Sequence, residues 1–237
     1  MCGRFSQFLG RNQGSAYLFR KLGMGQFVFP PRYNIAPTQY VPVIRQESGA
    51  TPTMAELRWG LIAYWAKDTS MGARTINARA ESITEKPAFR DAFKSRRCLV
   101  PVSGFYEWKR DAEQRGKIPH YFSAREEAEL LVFAGLWERW SKGGEEITSF
   151  AIVTTEANGL MRPIHARMPA ILAPDDWADW LDPGFSDHAH LKALLRPAPD
   201  SWLLYREVGT HVNNARNEGE KCIEKANSTA APRLLEW

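Results

Sequence analysis

Arg97-Cys98-Leu99-Val100-Pro101-Val102-Ser103-Gly104-Phe105-Tyr106-Glu107-Trp108-Lys109 is the stretch on which the reading of this chain turns. The run Cys98–Val102 is short, apolar and rich in β-branched residues, which predicts a strand. Directly after it, Glu107 sets a carboxylate among aromatic side chains, where burial is costly without a purpose. Runs of the same kind recur at Val41–Ile44, Leu130–Ala134, Phe150–Thr154 and Ala170–Ala173. Between them lie helical patterns at Ser15–Leu22, Lys86–Lys94, Asp175–Leu181 and His188–Leu195, the third opened by Pro174 and the fourth closed by Arg196-Pro197. The strands arrive in groups with long irregular connections. That order predicts an α+β fold with a mostly antiparallel sheet. No linker divides the chain, so one domain over residues 1–226 is expected, followed by a C-terminal arm over 227–237.

The 237 residues are ample for a core, and 44% hydrophobic with 24% charged residues is the balance of a soluble globular protein. Nothing approaches the run of about 20 apolar residues that a membrane helix needs, and no basic-then-apolar leader is present, so neither membrane nor secretion is expected. Cys2, Cys98 and Cys222 are far apart with no CxxC pair, which argues against a disulfide framework and a structural zinc site. A reducing, cytoplasmic setting and a monomer are expected, with no metal and no organic cofactor. A net charge of +4 permits nucleic-acid binding, and nine tryptophans offer stacking surfaces for unpaired bases.

The chain opens Met1-Cys2-Gly3-Arg4-Phe5. A methionine before a small residue is commonly removed, which leaves Cys2 with a thiol and a free α-amine on adjacent carbons. That amine has an ordinary pKa of about 7.7–8.0, against roughly 10.4 for lysine, so far more of it is neutral at physiological pH. A neutral amine adds to an aldehyde to give an imine, and the neighbouring thiol closes onto the imine carbon as a thiazolidine. Three further segments besides Ser103–Lys109 place polar side chains in apolar surroundings: Arg58-Trp59-Gly60-Leu61 with Tyr64 and Trp65 behind it, Ile76-Asn77-Ala78-Arg79-Ala80-Glu81-Ser82, and Pro163-Ile164-His165-Ala166-Arg167-Met168-Pro169.

Together these segments resemble the SRAP family, the SOS-response-associated proteins that act on abasic sites. The resemblance runs from Cys2 to about Gly219 and rests on Cys2-Gly3-Arg4, Arg32-Tyr33-Asn34-Ile35-Ala36-Pro37-Thr38, Arg58-Trp59-Gly60-Leu61-Ile62, Asn77-Ala78-Arg79-Ala80-Glu81, Arg97–Trp108, Phe133-Ala134-Gly135-Leu136-Trp137, Thr154-Thr155-Glu156-Ala157-Asn158 and Ile164-His165. Ala63, Ala166 and Ala215 depart from residues common in the family. The resemblance implies a single domain with a barrel-like core and flanking helices. It implies covalent capture, through Cys2, of the ring-opened sugar aldehyde of an abasic site in single-stranded DNA. Glu107 and His165 are then the proton-moving groups and Asn77 the side chain that holds the N-terminus or the sugar hydroxyl. Arg4 and Arg79 are expected to anchor phosphates, Trp65 and Trp59 to stack on flanking bases, and Asn34 to brace the N-terminal strand. Asn213, Asn214 and Asn217 read as scaffolding, and Cys98 as a small core side chain.

Other chemistries fit the same residues. An imine that fails to close gives weak strand cleavage of the lyase type. An N-terminal cysteine also serves thiol hydrolases, either as a self-processing peptidase that removes Met1 or as an amidotransferase. A single-strand-binding module would use the aromatic and arginine side chains alone.

Overall fold

Arg97–Val102 and Gly104–Arg110 are consecutive strands that belong to two different sheets, joined at Ser103. The computed structural model describes residues 2–9, 13–110, 116–126 and 130–226, so the expected arm over 227–237 lies outside the described residues. In chain order the strands are β1 (Phe5–Gln7), β2 (Arg32–Ile35), β3 (Tyr40–Arg45), β4 (Thr53–Trp59), β5 (Asn77–Arg79), β6 (Arg97–Val102), β7 (Gly104–Arg110), β8 (Lys117–Ala124), β9 (Leu131–Lys142), β10 (Glu145–Glu156), β11 (Arg167–Pro169) and β12 (Leu203–Glu207). The α-helices are α1 (Gln13–Lys21), α2 (Arg90–Ser95), α3 (Trp177–Leu181) and α4 (His188–Ala193).

Strands β10-β4-β3-β6-β9 hydrogen-bond in that order, and β9 pairs back onto β10, closing a five-stranded barrel. Every neighbouring pair in it is antiparallel except β4 and β10. Closure removes the exposed edges an open sheet would carry. The β9–β10 hairpin turns through Gly143 and Gly144, both at positive φ, as a two-residue loop between Lys142 and Glu145 requires. The second sheet has the order β12-β8-β7-β1-β2. One apolar cluster joins the two: Phe5, Phe105, Phe122 and Leu203 from the open sheet pack with Trp59, Val100, Phe133 and Phe150 from the barrel. A second cluster packs all four helices on the barrel through Phe19, Phe93, Trp180 and Leu191. The architecture is the expected α+β arrangement with a barrel at its centre.

Several elements differ from the sequence reading. Ala170–Ala173 is not a strand. It wedges between β9 and β10 where their pairing ends at Gly135 and Ile152, with Ala170 N donating to Val153 O and Leu172 N to Val132 O. The strand in this region is β11, immediately before it. The helix expected over Lys86–Lys94 begins only at Arg90, since Lys86–Phe89, which contains Pro87, forms turns. Strand β9 runs eight residues past Ala134, through polar positions that the hairpin partner β10 holds in register.

Between β4 and β5 the chain leaves the barrel and returns to the same neighbour. Phe150 of β10 pairs with Trp59, and Ile152 pairs with Asn77. The intervening loop is pinned at its base, with Gly60 at φ 121° and its Cα packed on the Gly72 carbonyl so closely that a Cβ would lie 2.4 Å from that oxygen. Any side chain at position 60 would force the loop open.

Candidate active site

Antiparallel pairing of β1 with β7 sets Phe5 opposite Phe105 and Ser6 opposite Gly104, and Tyr106 N donates to Arg4 O. Cys2 lies just ahead of β1, close enough to Glu107 of β7 for the carboxylate to act on its thiol. Asn77 enters from the barrel side, at the start of β5. Its Nδ2 donates to the carbonyl of Cys2 at 2.9 Å. His165 comes from the turn between β10 and β11, where Ile164 N and His165 N both donate to Met161 O. Asn158 fixes that turn, accepting from Met161 N through Oδ1 and donating to Ala198 O through Nδ2. His165 Nδ1 lies 4.0 Å from Glu107 Oε1. Four residues from distant parts of the sequence therefore meet where the open sheet abuts the barrel.

The surroundings govern the protonation states. Cys2 is fully buried. Burial foremost, and then the Glu107 carboxylate, hold its thiol far above the ordinary range, so it is a thiol and not a thiolate at neutral pH. Glu107 is buried as well. Asn77 Oδ1 is buried without a hydrogen-bond partner among the described residues. A buried acceptor left in that state costs about 1–3 kcal/mol.

The remaining residues named from the sequence fall into three groups. Arg79 lies two residues beyond Asn77 on the same face of β5 and is exposed. Trp65 is exposed at 48%, with Tyr64 beside it, in the loop after β4. Arg4 is turned inward: Nη1 donates to Asn34 Oδ1 at 2.7 Å and to Val212 O at 2.8 Å, its guanidinium lies over Trp108, and burial lowers its pKa. Asn34 is fully buried and donates through Nδ2 to the carbonyls of Val212, Asn214 and Asn217, which ties β2 to the Asn-rich loop. Asn213 Oδ1 accepts from Trp108 Nε1. Cys98 is a buried core side chain. Trp59 corrects the sequence reading. It has no exposed surface, packs on Phe5 and Phe150 and donates Nε1–H to Ile76 O, so it holds the core and the return of the loop and offers no face to a base.

Among the described residues no group of three or more His, Cys, Asp or Glu side chains is placed to hold a metal ion, and no helix is long and apolar enough to cross a membrane. A family model for SOS response associated peptidase (SRAP) matches residues 1–215. The chain belongs to the SRAP family. It is 39% identical over 232 residues to abasic site processing protein YoaM of Bacillus subtilis, covering 96% of this chain and 99% of that one. It is 30% identical to abasic site processing protein HMCES of Xenopus tropicalis, covering 88% and 73%. A crystal structure of a protein from Bacteroides thetaiotaomicron superposes with a TM-score of 0.78 at 26% identity, covering 94% of this chain and 99% of that one. The SRAP fold is thus shared well beyond close sequence relatives.

Sequence reasoning gave no role to Gln7 or to the pair Glu81–Arg167. Gln7 is a buried amide that donates to Pro42 O in β3 and Pro101 O in β6. Nothing in a lone glutamine signals such a bridge. Glu81 and Arg167 sit in the quoted polar segments, but their pairing is long-range and appears only in three dimensions.

Proposed function

We propose that this chain captures abasic sites in single-stranded DNA as a covalent thiazolidine through Cys2 once Met1 has been removed. The observation that carries the reading is the meeting of Cys2, Asn77, Glu107 and His165 at the junction of the two sheets. The curated relatives, named abasic site processing proteins, support it.

Hydrolysis of the Met1–Cys2 peptide bond gives Cys2 a free α-amine. The open-chain sugar presents an aldehyde at C1′. The amine adds to that carbon, and loss of water gives the imine. The thiol then adds to the imine carbon; a C–S bond forms, and the thiol proton passes to nitrogen. The sum is aldehyde plus aminothiol giving thiazolidine plus water. Glu107 takes up and returns protons around imine formation. His165 suits protonation of the sugar oxygen during ring opening, since an imidazole can both give and take a proton. The unpartnered Asn77 Oδ1 suits an N–H of the new amine or a sugar hydroxyl. The high pKa of the thiol keeps it in the protonated form that can donate to the imine nitrogen. Arg79 and Trp65 hold the strand beside the lesion.

Denaturing electrophoresis with a single-stranded oligonucleotide carrying one abasic site tests this. An SDS- and heat-stable band is expected with Met1-free protein and is lost with Cys2→Ala or with intact DNA. Absence of the band, with Met1 shown absent by intact mass, rules the reaction out for this chain. Cys2→Ser keeps the amine and loses the ring-closing thiol; a borohydride-reducible imine and slow strand cleavage are expected from it, as the lyase branch requires.

A further inference from the structure

We infer that the ion pair Glu81–Arg167 is a positioning device for His165, an inference that rests on His165 carrying a proton in the reaction proposed above. Nδ1 of His165 lies 3.0 Å from the backbone nitrogen of Arg167 and 3.0 Å from its carbonyl oxygen. A ring nitrogen that bears hydrogen donates, and one that does not accepts. The protonated nitrogen therefore finds the Arg167 carbonyl and the bare one finds the Arg167 N–H, with no movement of the backbone. With Nδ1–H donating to the Arg167 carbonyl, Nε2 is the nitrogen that exchanges a proton with a substrate.

That arrangement lasts only while the main chain at Arg167 stays put. Its strand partner Glu156 holds one side. Its own side chain holds the other: Nη1 donates to Glu81 Oε1 at 2.7 Å, Nη2 to Glu81 Oε2 at 2.9 Å, and Nη2 also to Thr154 O at 2.6 Å. A two-pronged guanidinium–carboxylate contact fixes direction as well as distance. Glu81 stands in the short turn Ala80–Ser82, directly after the strand that carries Asn77 and Arg79. The clamp thus ties the turn bearing His165 to the strand that holds the Cys2 carbonyl.

The test titrates ¹⁵N-labelled imidazoles in Met1-free protein without DNA, with His165 assigned through His165→Gln. Single-turnover capture of an abasic oligonucleotide across pH, affinity for an intact single-stranded oligonucleotide, and thermal denaturation run beside it. Glu81→Gln is expected to move the Nδ1 resonance. Capture should slow by about tenfold, a fraction of the 10²–10⁴ that a positioned acid/base group contributes. Intact-strand affinity should stay within about twofold. Glu81→Asp keeps the carboxylate and is expected to stay near wild type. Arg167→Lys keeps the cation without the fork and repeats the Glu81→Gln result from the other partner, which covers loss of fold in either variant. An unchanged Nδ1 resonance in folded Glu81→Gln or Arg167→Lys overturns the inference. Wild type that captures no aldehyde refutes the reaction instead, while the imidazole titration still decides the clamp.

Discussion

Glu107 is a carboxylate that the fold buries beside a buried thiol, with an imidazole 4.0 Å away. Keeping it there costs desolvation, so its replacement separates function from stability. Glu107→Gln is expected to slow aldehyde capture by about 10²-fold or more while leaving the melting temperature unchanged or higher; a variant that melts early and captures normally contradicts the assigned role. The three cysteines make a second residue-scale prediction. All are buried and free, and burial raises the pKa of each. The Met1-bearing protein should therefore give almost no reaction with a chromogenic disulfide at pH 8 and three equivalents after denaturation. One fast-reacting thiol in the native state, mapped to Cys2, contradicts the burial described here. At this scale much was legible in the sequence. Cys2, Glu107 and His165 each announced themselves as a polar group in an apolar or terminal setting. The contact of Arg4 with Asn34 was not legible, since it joins residues 30 apart in the chain.

The end of β4 and the loop that follows it carry two tryptophans six residues apart in different settings. Trp59 ends a barrel strand and is wholly enclosed, whereas Trp65 stands in the open part of the loop with Tyr64. Trp59→Ala removes a core side chain and is expected to cost about 3–5 kcal/mol of stability. Trp65→Ala is expected to leave stability within about 0.5 kcal/mol and to weaken single-stranded DNA binding by about 1–3 kcal/mol. Denaturant titration and fluorescence anisotropy read the two effects, and an equal loss of stability from both variants sinks the distinction. The reason sequence could not part them lies in long-range pairing: β10 encloses Trp59 only because Phe150 lies opposite it. The same limit governed element ends. The apolar centre of β9 was readable, but its extension to Lys142 depends on a hairpin partner, and the failure of Ala170–Ala173 to form a strand depends on where β9 and β10 diverge.

At the scale of the molecule, the site exists only because two sheets are held in one relative position. Cys2 leads into the open sheet that holds Glu107, while Asn77 lies on β5 beside barrel strand β10 and His165 in the β10–β11 turn. Gln7 is the polar tie across that boundary: from β1 its Nε2 reaches Pro42 O at 2.9 Å and Pro101 O at 2.8 Å, in two different barrel strands. An apolar replacement strands two buried carbonyls, each costing about 1–3 kcal/mol, and loosens β1 just beyond Cys2. Gln7→Leu is therefore expected to lower stability by about 2 kcal/mol or more. It should also slow aldehyde capture by about 10- to 100-fold under conditions where the protein remains folded, because displacements near 1 Å at a reacting pair carry losses of that order. Gln7→Glu keeps the shape but removes the donor, and should behave alike. If capture by folded Gln7→Leu proceeds at the wild-type rate, the two halves of the site are aligned by the apolar cluster of Phe5, Trp59 and Phe105 alone, and the amide serves stability only.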